Sequence, residues 1–388
     1  MTSAYNATWL YNLKVVKEVK RWYKHGLIDE AQFKAVSTAY VSPLYHSNVI
    51  IRILLFIATV LAISGLTGVL TLMMLETDED AMAVGAIFYG LISFFVLEML
   101  FIKKNNHYKS GVTEAILYHS ILFLLGGFIF IVSDSIDLYL VVSFVVLTFC
   151  AIRYLDLVCT VLAIGAFVAL LFYELYEMDG IFRQIIPFMF ILVFTPVYFV
   201  AKKLKQRETL NLWHTNLLLV ESISLLLIYF GGNYLVVREL SVAMMGLTIE
   251  DGQDIPFAFL FYALTVIIPI SYLYFGIRNK DIVLIRISLL LLALSAFTFK
   301  YYFSFGHPEI TLTIAGTVIL SITLCVLNYL KVMRSGYTRD NLLSEKWGDA
   351  NLEAFIISQT LGGNQINPAA GNEGGGGQFG GGGSTDSF

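Results

Sequence analysis

The sequence is poor in charge. Only 14% of its 388 residues are Asp, Glu, Lys or Arg, whereas 57% are hydrophobic and the mean hydropathy is +0.74. A soluble domain of this length does not have so apolar a composition, which indicates an integral membrane protein. The three cysteines, Cys150, Cys159 and Cys325, lie in apolar segments and form no CxxC pair. We therefore expect neither disulfides nor cysteine metal ligands.

Catalytic and cofactor-binding motifs are also missing. The chain has no HExxH zinc motif, no Walker phosphate loop, no GxSxG nucleophile elbow and no cluster of His and Cys. The basic residues lie at the ends of apolar segments, where membrane topology accounts for them. The sequence therefore predicts no enzyme, no cofactor, no resident metal and no nucleic-acid partner.

What the sequence does contain is about ten apolar segments of membrane length. We place them at 53–75, 82–102, 113–132, 138–153, 156–173, 185–201, 211–231, 257–277, 282–299 and 309–330. The predicted fold class is therefore all-α, with a polytopic transmembrane domain over 49–334. Spans four and five are joined by the tight turn RYLD, in which we expect Arg153 to pair with Asp156.

Positive charge alternates strongly between successive connections. Counting them in turn places 22 of the 25 Lys and Arg residues on one side, together with both termini, and leaves Arg183, Arg238 and Lys300 for the other. Because cytoplasmic loops retain Lys and Arg, this pattern predicts cytoplasmic N and C termini. The opposite loops are acidic, which either attracts cations or reflects only the exclusion of basic residues.

Residues 1–48 are predicted to form a cytoplasmic helical hairpin. One face of the stretch from Ala7 to Lys24 is apolar and the other is basic, and Gly26 suits its end. Asp29 and Gln32 then form a capping box for a second short helix. The basic face suits contact with anionic lipid of the bilayer, and docking of a protein partner is the alternative.

This hairpin carries a family resemblance. The run WYKHGLIDEAQ from Trp22 to Gln32, followed by the glycine-containing first span IATVLAISGLTGVL, resembles bacterial predicted membrane proteins catalogued as domain of unknown function 2157. The resemblance covers about the first seventy residues and is only architectural beyond them. It implies a multi-pass protein of the bacterial cytoplasmic (inner) membrane and brings no established activity or site residues.

The C-terminal tail, 335–388, contains a short amphipathic stretch and then becomes glycine-rich from about 362. A segment of that composition buries too little apolar surface to fold, so we expect disorder there. The tail is either a binding segment for a protein partner or a featureless extension.

Ionisable residues inside the apolar segments are the candidate functional positions. Glu221, followed by Ser222 and Ser224, falls near the middle of the seventh predicted span, about 15 Å from either end. It suits a proton carrier or cation ligand, and a structural link between two helices is the alternative. Arg286 is its predicted partner. Three further residues lie at similar inner depth on the second and third spans and are expected either to line an inward-facing vestibule or to lie at the interface: Glu98, Glu114 and His119.

Two predicted spans contain an interior proline, Pro196 in the sixth and Pro269 in the eighth. Each removes a backbone donor, so both are candidate kinks that serve as hinges in a transporter or simply shape the packing. Together with Glu221 and the acidic outer loops, they make transport or permeation of a small solute or cation the leading hypothesis. The competing hypothesis is a non-catalytic membrane scaffold or sensor acting through its head and tail.

Overall fold

The computed structural model describes residues 3–73, 77–178, 181–245 and 254–302, with single positions between 317 and 331. Every named element in this part of the chain is helical. They are α1 (Ala7–Lys24), α2 (Glu30–Ala39), α3 (Val49–Met73), α4 (Glu79–Val96, continued as a π-helix over Leu97–Lys104), α5 (Val112–Ile131), α6 (Ile136–Tyr154), α7 (Leu157–Glu177), α8 (Ile181–Lys205), a 3-10 turn (Glu208–Trp213), α9 (His214–Gly232), α10 (Tyr234–Met245), α11 (Ala258–Arg278) and α12 (Ile282–Tyr302).

Within the described residues, nine helices are long and apolar enough to cross a membrane: α3 to α9, α11 and α12. The predicted all-α, multi-pass architecture is thereby confirmed, and the protein belongs in a lipid bilayer. The predicted tenth span, 309–330, lies largely outside the described residues, and the tail 335–388 lies wholly outside them.

Antiparallel hairpins make up the bundle, with α4 against α5, α6 against α7, α8 against α9 and α11 against α12. Glycines allow the closest of these approaches. A Cβ at Gly127 would lie 2.5 Å from the Ala83 carbonyl oxygen, and one at Gly231 would lie 2.6 Å from that of Pro187. Small residues at such crossings let two backbones come together where lipid provides no hydrophobic drive.

Both helices of the head are present, and α2 begins with the predicted Asp29–Gln32 capping box. The head packs on the transmembrane helices. Leu10 of α1 and the preceding Tyr5 belong to the same buried cluster as Leu97, Leu117 and Tyr154. The described part of the head, residues 3–48, therefore shares a core with the first half of the bundle.

The two predicted kink residues lie in helices that continue on both sides of them. Pro196 lies inside α8, as does Pro187, and Pro269 lies inside α11. Pro196 is exposed, so it faces the lipid region, whereas Pro269 is fully buried. Both helices pack against α9, which places the prolines on the neighbours of Glu221.

Candidate functional site: an ion-pair layer at one end of the bundle

The connections rich in Lys and Arg meet at one end of the bundle. The Trp213 indole N–H donates to the Ile152 carbonyl over 2.8 Å, and Lys14 Nζ donates to Asn211 Oδ1 over 2.9 Å. Tyr45 forms a backbone bridge with His107. We call this end, formed by 105–111, 155–156, 206–213 and 279–281, the basic end.

Glu98 lies in the π-helical extension of α4 and is bound by two basic residues. Arg153 at the end of α6 donates from Nε over 3.0 Å and from Nη2 over 2.5 Å, and Lys103 Nζ lies 3.1 Å away. Such two-pronged pairing of a guanidinium is the strongest form of this interaction. Arg153 thus extends across the bundle to Glu98, a contact that the predicted pairing with Asp156 did not include.

Glu114 is buried at the start of α5, where only 6% of it is exposed. Its Oε2 accepts from the Gly111 amide over 2.8 Å and from the Thr113 hydroxyl over 2.9 Å, while Arg52 Nη2 lies 2.5 Å from Oε1. Gly111 has φ +91°, and a Cβ there would lie 2.1 Å from the Arg52 carbonyl oxygen. Glu114 is thus the cap of α5 as well as the partner of Arg52 on α3.

Asp156 caps α7, accepting from the Cys159 amide over 2.8 Å and from the Tyr118 hydroxyl over 3.0 Å. Asn216 of α9 donates to the Asp156 carbonyl over 3.0 Å and to Thr160 Oγ1 over 2.8 Å. Neither Asp156 nor Asn216 was predicted to hold helices together in this way. We call Arg52, Glu98, Glu114, Arg153 and Asp156 the first-half cluster.

The N-terminal segment covers this cluster. The Ala4 amide donates to the Arg153 carbonyl over 2.9 Å, and Tyr5 packs edge-on against Tyr108 with 4.9 Å between ring centroids. The space left beside Tyr5, Lys109 and Glu114 is large enough for about one water molecule. Where the sequence allowed an open vestibule beside Glu98 and Glu114, the head fills the space.

Burial changes the acid–base behaviour of the groups beneath this cover. It raises the pKa of the Tyr5 phenol well above its ordinary value. Burial, and then the nearby Arg52 guanidinium, lower the pKa of Lys109. Both shifts favour the neutral form of the side chain, as expected where water is displaced.

His119 does not join the first-half cluster. Its ring lies against Tyr89 and Phe123, with centroid distances of 5.6 and 4.6 Å. Its Nε2 has no hydrogen-bond partner in the described part of the chain. The imidazole therefore packs among aromatic rings, away from Glu98 and Glu114.

In the second half of the bundle, Glu221 of α9 is fully buried, with 0% exposed. Its Oε2 is bound by Lys205 Nζ, from the last residue of α8. Its Oε1 has no hydrogen-bond partner among the described residues. The partner predicted from the sequence, Arg286, is wrong in this structure: its side chain is exposed and Lys205 takes that place.

Glu221 lies close to the middle of the membrane-length segment Glu208–Gly232, as predicted. The α-helix itself begins at His214 because 208–213 form a 3-10 turn, so Glu221 lies about two turns, or roughly 10 Å, inside α9. Lys205 reaches it from the last turn of α8.

Lys202 forms a second pair one turn earlier on α8. Its Nζ lies 2.6 Å from Asp281 Oδ2 and 3.0 Å from the Tyr198 hydroxyl. Burial raises the pKa of the Asp281 carboxyl, but the hydrogen bonds from Lys202 and from the Leu284 amide together bring it below its ordinary value. We call Lys202, Lys205, Glu221 and Asp281 the second-half cluster.

The opposite end of the bundle has a different polar network. Arg238 of α10 donates to the Tyr234 hydroxyl over 2.8 Å and lies over the Tyr302 ring, 4.7 Å from its centroid. Tyr234 in turn donates to Asp254 Oδ1 over 2.8 Å. These contacts attach α10 to the residues before α11 and to α12 through cation–π and hydrogen-bond interactions.

No group of three or more His, Cys, Asp and Glu side chains that could hold a metal ion occurs among the described residues. Searches of protein-family models, of curated proteins and of solved structures gave no match to this chain. The resemblance of the N-terminal hairpin to the family of domain of unknown function 2157 stays a prediction. A functional proposal therefore depends on the geometry of the two clusters.

Proposed function

We propose that this multi-pass membrane protein moves a small solute or cation across the bilayer and that Glu221 is its exchangeable group. The observation that carries the proposal is the state of the Glu221 carboxylate, which is fully buried and, among the described residues, has a partner on one oxygen only. An ionised carboxylate in a membrane interior requires compensation by a partner, water or a proton. The unfilled Oε1 gives Glu221 a position for a further ligand.

The neighbours of Glu221 support a site that opens. Lys205 ends α8, and its side chain remains 17% exposed, so its ammonium reaches water at the basic end when the pair breaks. Pro196 and Pro269 lie in the helices on either side. Each removes a backbone hydrogen-bond donor from its helix, which lowers the resistance of the helix to bending.

The excess of Lys and Arg at the basic end supports a cytoplasmic location for that end, in a bacterial inner membrane. There the exposed Lys14, Lys17, Lys20 and Lys24 of α1 contact anionic lipid. In this orientation the ion pairs of both clusters close the cytoplasmic side of the bundle. Opening of the second-half cluster then exposes Glu221 to the cytoplasm.

The test is water access beside an intact Glu221. Ser224, one turn further along α9, is 2% exposed, and Ser224→Cys replaces its hydroxyl by a thiol of similar size. We would replace Cys325, keep the fully buried Cys150 and Cys159 as background, and apply a small charged thiol reagent from each side of reconstituted vesicles. Leu192→Cys is the matched lipid-facing control, since Leu192 is 64% exposed on α8.

We expect Ser224→Cys to be labelled from at least one side and Leu192→Cys from neither, because a charged reagent does not enter lipid. Glu221→Gln should then abolish transport of any solute that is found. Absence of labelling at Ser224→Cys, in protein shown to be folded, would contradict a hydrated path and make Glu221 a packing residue.

A second function, a membrane scaffold or sensor, is favoured by one separate observation: the head is built into the bundle. Ala4 and Tyr5 bind over the first-half cluster, so a partner that displaces them changes the helices beneath. Under this alternative, Tyr5→Ala alters partner recovery by the head while Glu221→Gln does not. The transport proposal predicts instead that Glu221→Gln alters flux across the membrane and that Tyr5→Ala does not.

A further inference from the structure

We infer that the ion exchanged at Glu221 is a proton and not a metal cation. This inference rests on the proposed function and names the ion that the same site takes. It follows from three features of the second-half cluster: the number of oxygen atoms offered, the identity of the partner, and the unfilled Oε1.

Oxygen ligands for a metal cation do not converge on Glu221. Hard cations take six or more oxygens. The nearby hydroxyls of Ser222 and Ser224 donate to the carbonyls of Leu218 and Val220 in their own helix. Asp281, a second carboxylate of the cluster, is bound by Lys202. Among the described residues, Glu221 therefore offers its own two oxygens and no neighbouring side-chain oxygen is left free to complete the shell of a metal ion.

The partner of Glu221 is itself a cation. Lys205 Nζ occupies Oε2, and a metal ion on the same carboxylate would lie against this ammonium. Repulsion between like charges at that separation is strong in a membrane interior. A proton meets no such obstacle, because it neutralises the carboxylate by adding to Oε1.

Protonation then couples to opening. A hydronium ion gives one proton to Oε1, so an O–H bond forms and one water molecule is released. The neutral carboxylic acid no longer holds Lys205, which keeps all its protons and turns to water at the basic end. Loss of the proton on the far side restores the carboxylate and the ion pair. The cycle moves one proton and needs no other reactant.

Other titratable or charged groups lie around Glu221 and need to be held constant in the test. They are His214 on α9, Tyr198 and Lys202 on α8, Asp156 at the start of α7, Tyr272 on α11, Asp281 in the α11–α12 turn and Arg286 on α12. Glu221→Gln leaves each of these side chains in the protein and removes one carboxylate.

The experiment measures the labelling rate of Ser224→Cys in vesicles over a range of pH, with sodium or a bulky organic cation as the salt. Each rate is divided by that of Lys280→Cys at the same pH, since Lys280 is exposed at the basic end and reports thiol ionisation alone. We expect the ratio to rise by up to about tenfold per unit fall in pH, the limit for a one-proton step, with no response to sodium. Glu221→Gln should remove the pH dependence.

Lys205→Gln is the second variant, because it removes the closing ammonium and should leave labelling high across the pH range. The same pH profile in Glu221→Gln as in the parent would overturn the inference. A ratio that follows sodium at constant pH would also overturn it and leave transport standing. No labelling of Ser224→Cys from either side at any pH would instead remove the proposed function, and the proton inference with it.

Discussion

The two clusters at the basic end both pair acidic with basic side chains but differ in what lies against each carboxylate oxygen. Glu98 is held by Arg153 on both oxygens, and Glu114 accepts two hydrogen bonds on Oε2. Oε1 of Glu114 and Oε1 of Glu221 both lack a hydrogen-bond partner among the described residues, but the Glu114 atom lies 2.5 Å from Arg52 Nη2, whereas the described ion pair of Glu221 is made by Oε2 with Lys205. A second charged contact, present at Glu114 and not described at Glu221, is therefore what separates these two buried carboxylates.

The difference teaches how to separate structural from functional acids in a membrane bundle. A carboxylate whose two oxygens both lie against a donor or a cation has no position for another ligand, and any change in its charge breaks several contacts at once. A carboxylate with one partner changes charge by breaking one contact. The first-half cluster is also covered by the N-terminal segment, because Ala4 and Tyr5 lie over it.

The largest expected effect is on stability at Glu114. Glu114→Ala removes the partner of Arg52 and leaves the buried Gly111 amide without an acceptor, so we expect a loss of about 3 kcal/mol in the free energy of unfolding. Thermal unfolding in detergent measures it. Glu114→Gln is the control, because its amide oxygen still accepts from Gly111 and the loss should be smaller. A wild-type melting temperature for Glu114→Ala would contradict the structural role.

Removing the cover over the first-half cluster comes next. Tyr5 is 8% exposed, and Tyr5→Ala should weaken docking of the head by about 2 kcal/mol, below the usual range for core aromatics because the segment detaches as a whole. Hydrogen exchange of α1 measures this loss. Tyr11→Ala, at a position 52% exposed on the same helix, should leave exchange unchanged. Equal effects of the two variants would show that Tyr5 does not hold the head.

At Glu221 we expect a smaller effect on stability than at Glu114. Glu221→Gln should change the free energy of unfolding by less than about 1 kcal/mol, because Lys205 at the end of α8 turns to water once its partner is neutral. Lys205→Met instead removes the ammonium and keeps the Glu221 side chain. It leaves a buried carboxylate unpaired, so this variant should be less stable at neutral pH and regain stability in acid.

Melting temperatures of both variants across pH provide the measurement. A loss in Glu221→Gln as large as that in Glu114→Ala would show that the two carboxylates play the same structural part.

The smallest effect is expected at Asp281. Its pKa is lowered in the folded protein, so its pairing with Lys202 stabilises the fold above the ordinary pKa of an aspartate, and this stabilisation is lost as pH falls through the lowered value. Asp281→Asn should therefore melt slightly below wild type at neutral pH and together with it in acid. A difference between the two that persists at low pH would assign the effect to packing instead of charge.

The transmembrane architecture was predictable because it depends on local composition. A run of some twenty apolar residues satisfies its own backbone as a helix in lipid, so each span is encoded by its own sequence. Glu221, Glu98 and Glu114 were detectable for the same reason, since acids are rare in such runs. The asymmetry of Lys and Arg likewise identified which connections gather at one end.

The pairing of these charges was not predictable, because it depends on which helices are neighbours. Arg153 reaches Glu98, fifty-five positions away in sequence. Lys205 was missed because the sixth predicted span stopped at 201, whereas α8 continues to Lys205. The contact of the Gly111 amide with Glu114 and the capping of α7 by Asp156 each span three residues, so they, unlike the long-range ion pairs, are encoded by local sequence. The few residues before α1 contain no sequence pattern that would have predicted the packing of Tyr5 into the bundle.

The central claim is that Glu221 changes its protonation state while Glu114 does not, and infrared difference spectroscopy on acidification tests this directly. Other carboxylates, Asp281 among them, also protonate in acid, so the spectrum of each variant is subtracted from that of the wild-type protein. The subtraction should leave the carbonyl band of one protonated carboxylic acid for Glu221→Gln and none for Glu114→Gln. No band in the Glu221→Gln subtraction, or a band in the Glu114→Gln subtraction, would contradict the assignment of Glu221 as the exchangeable group.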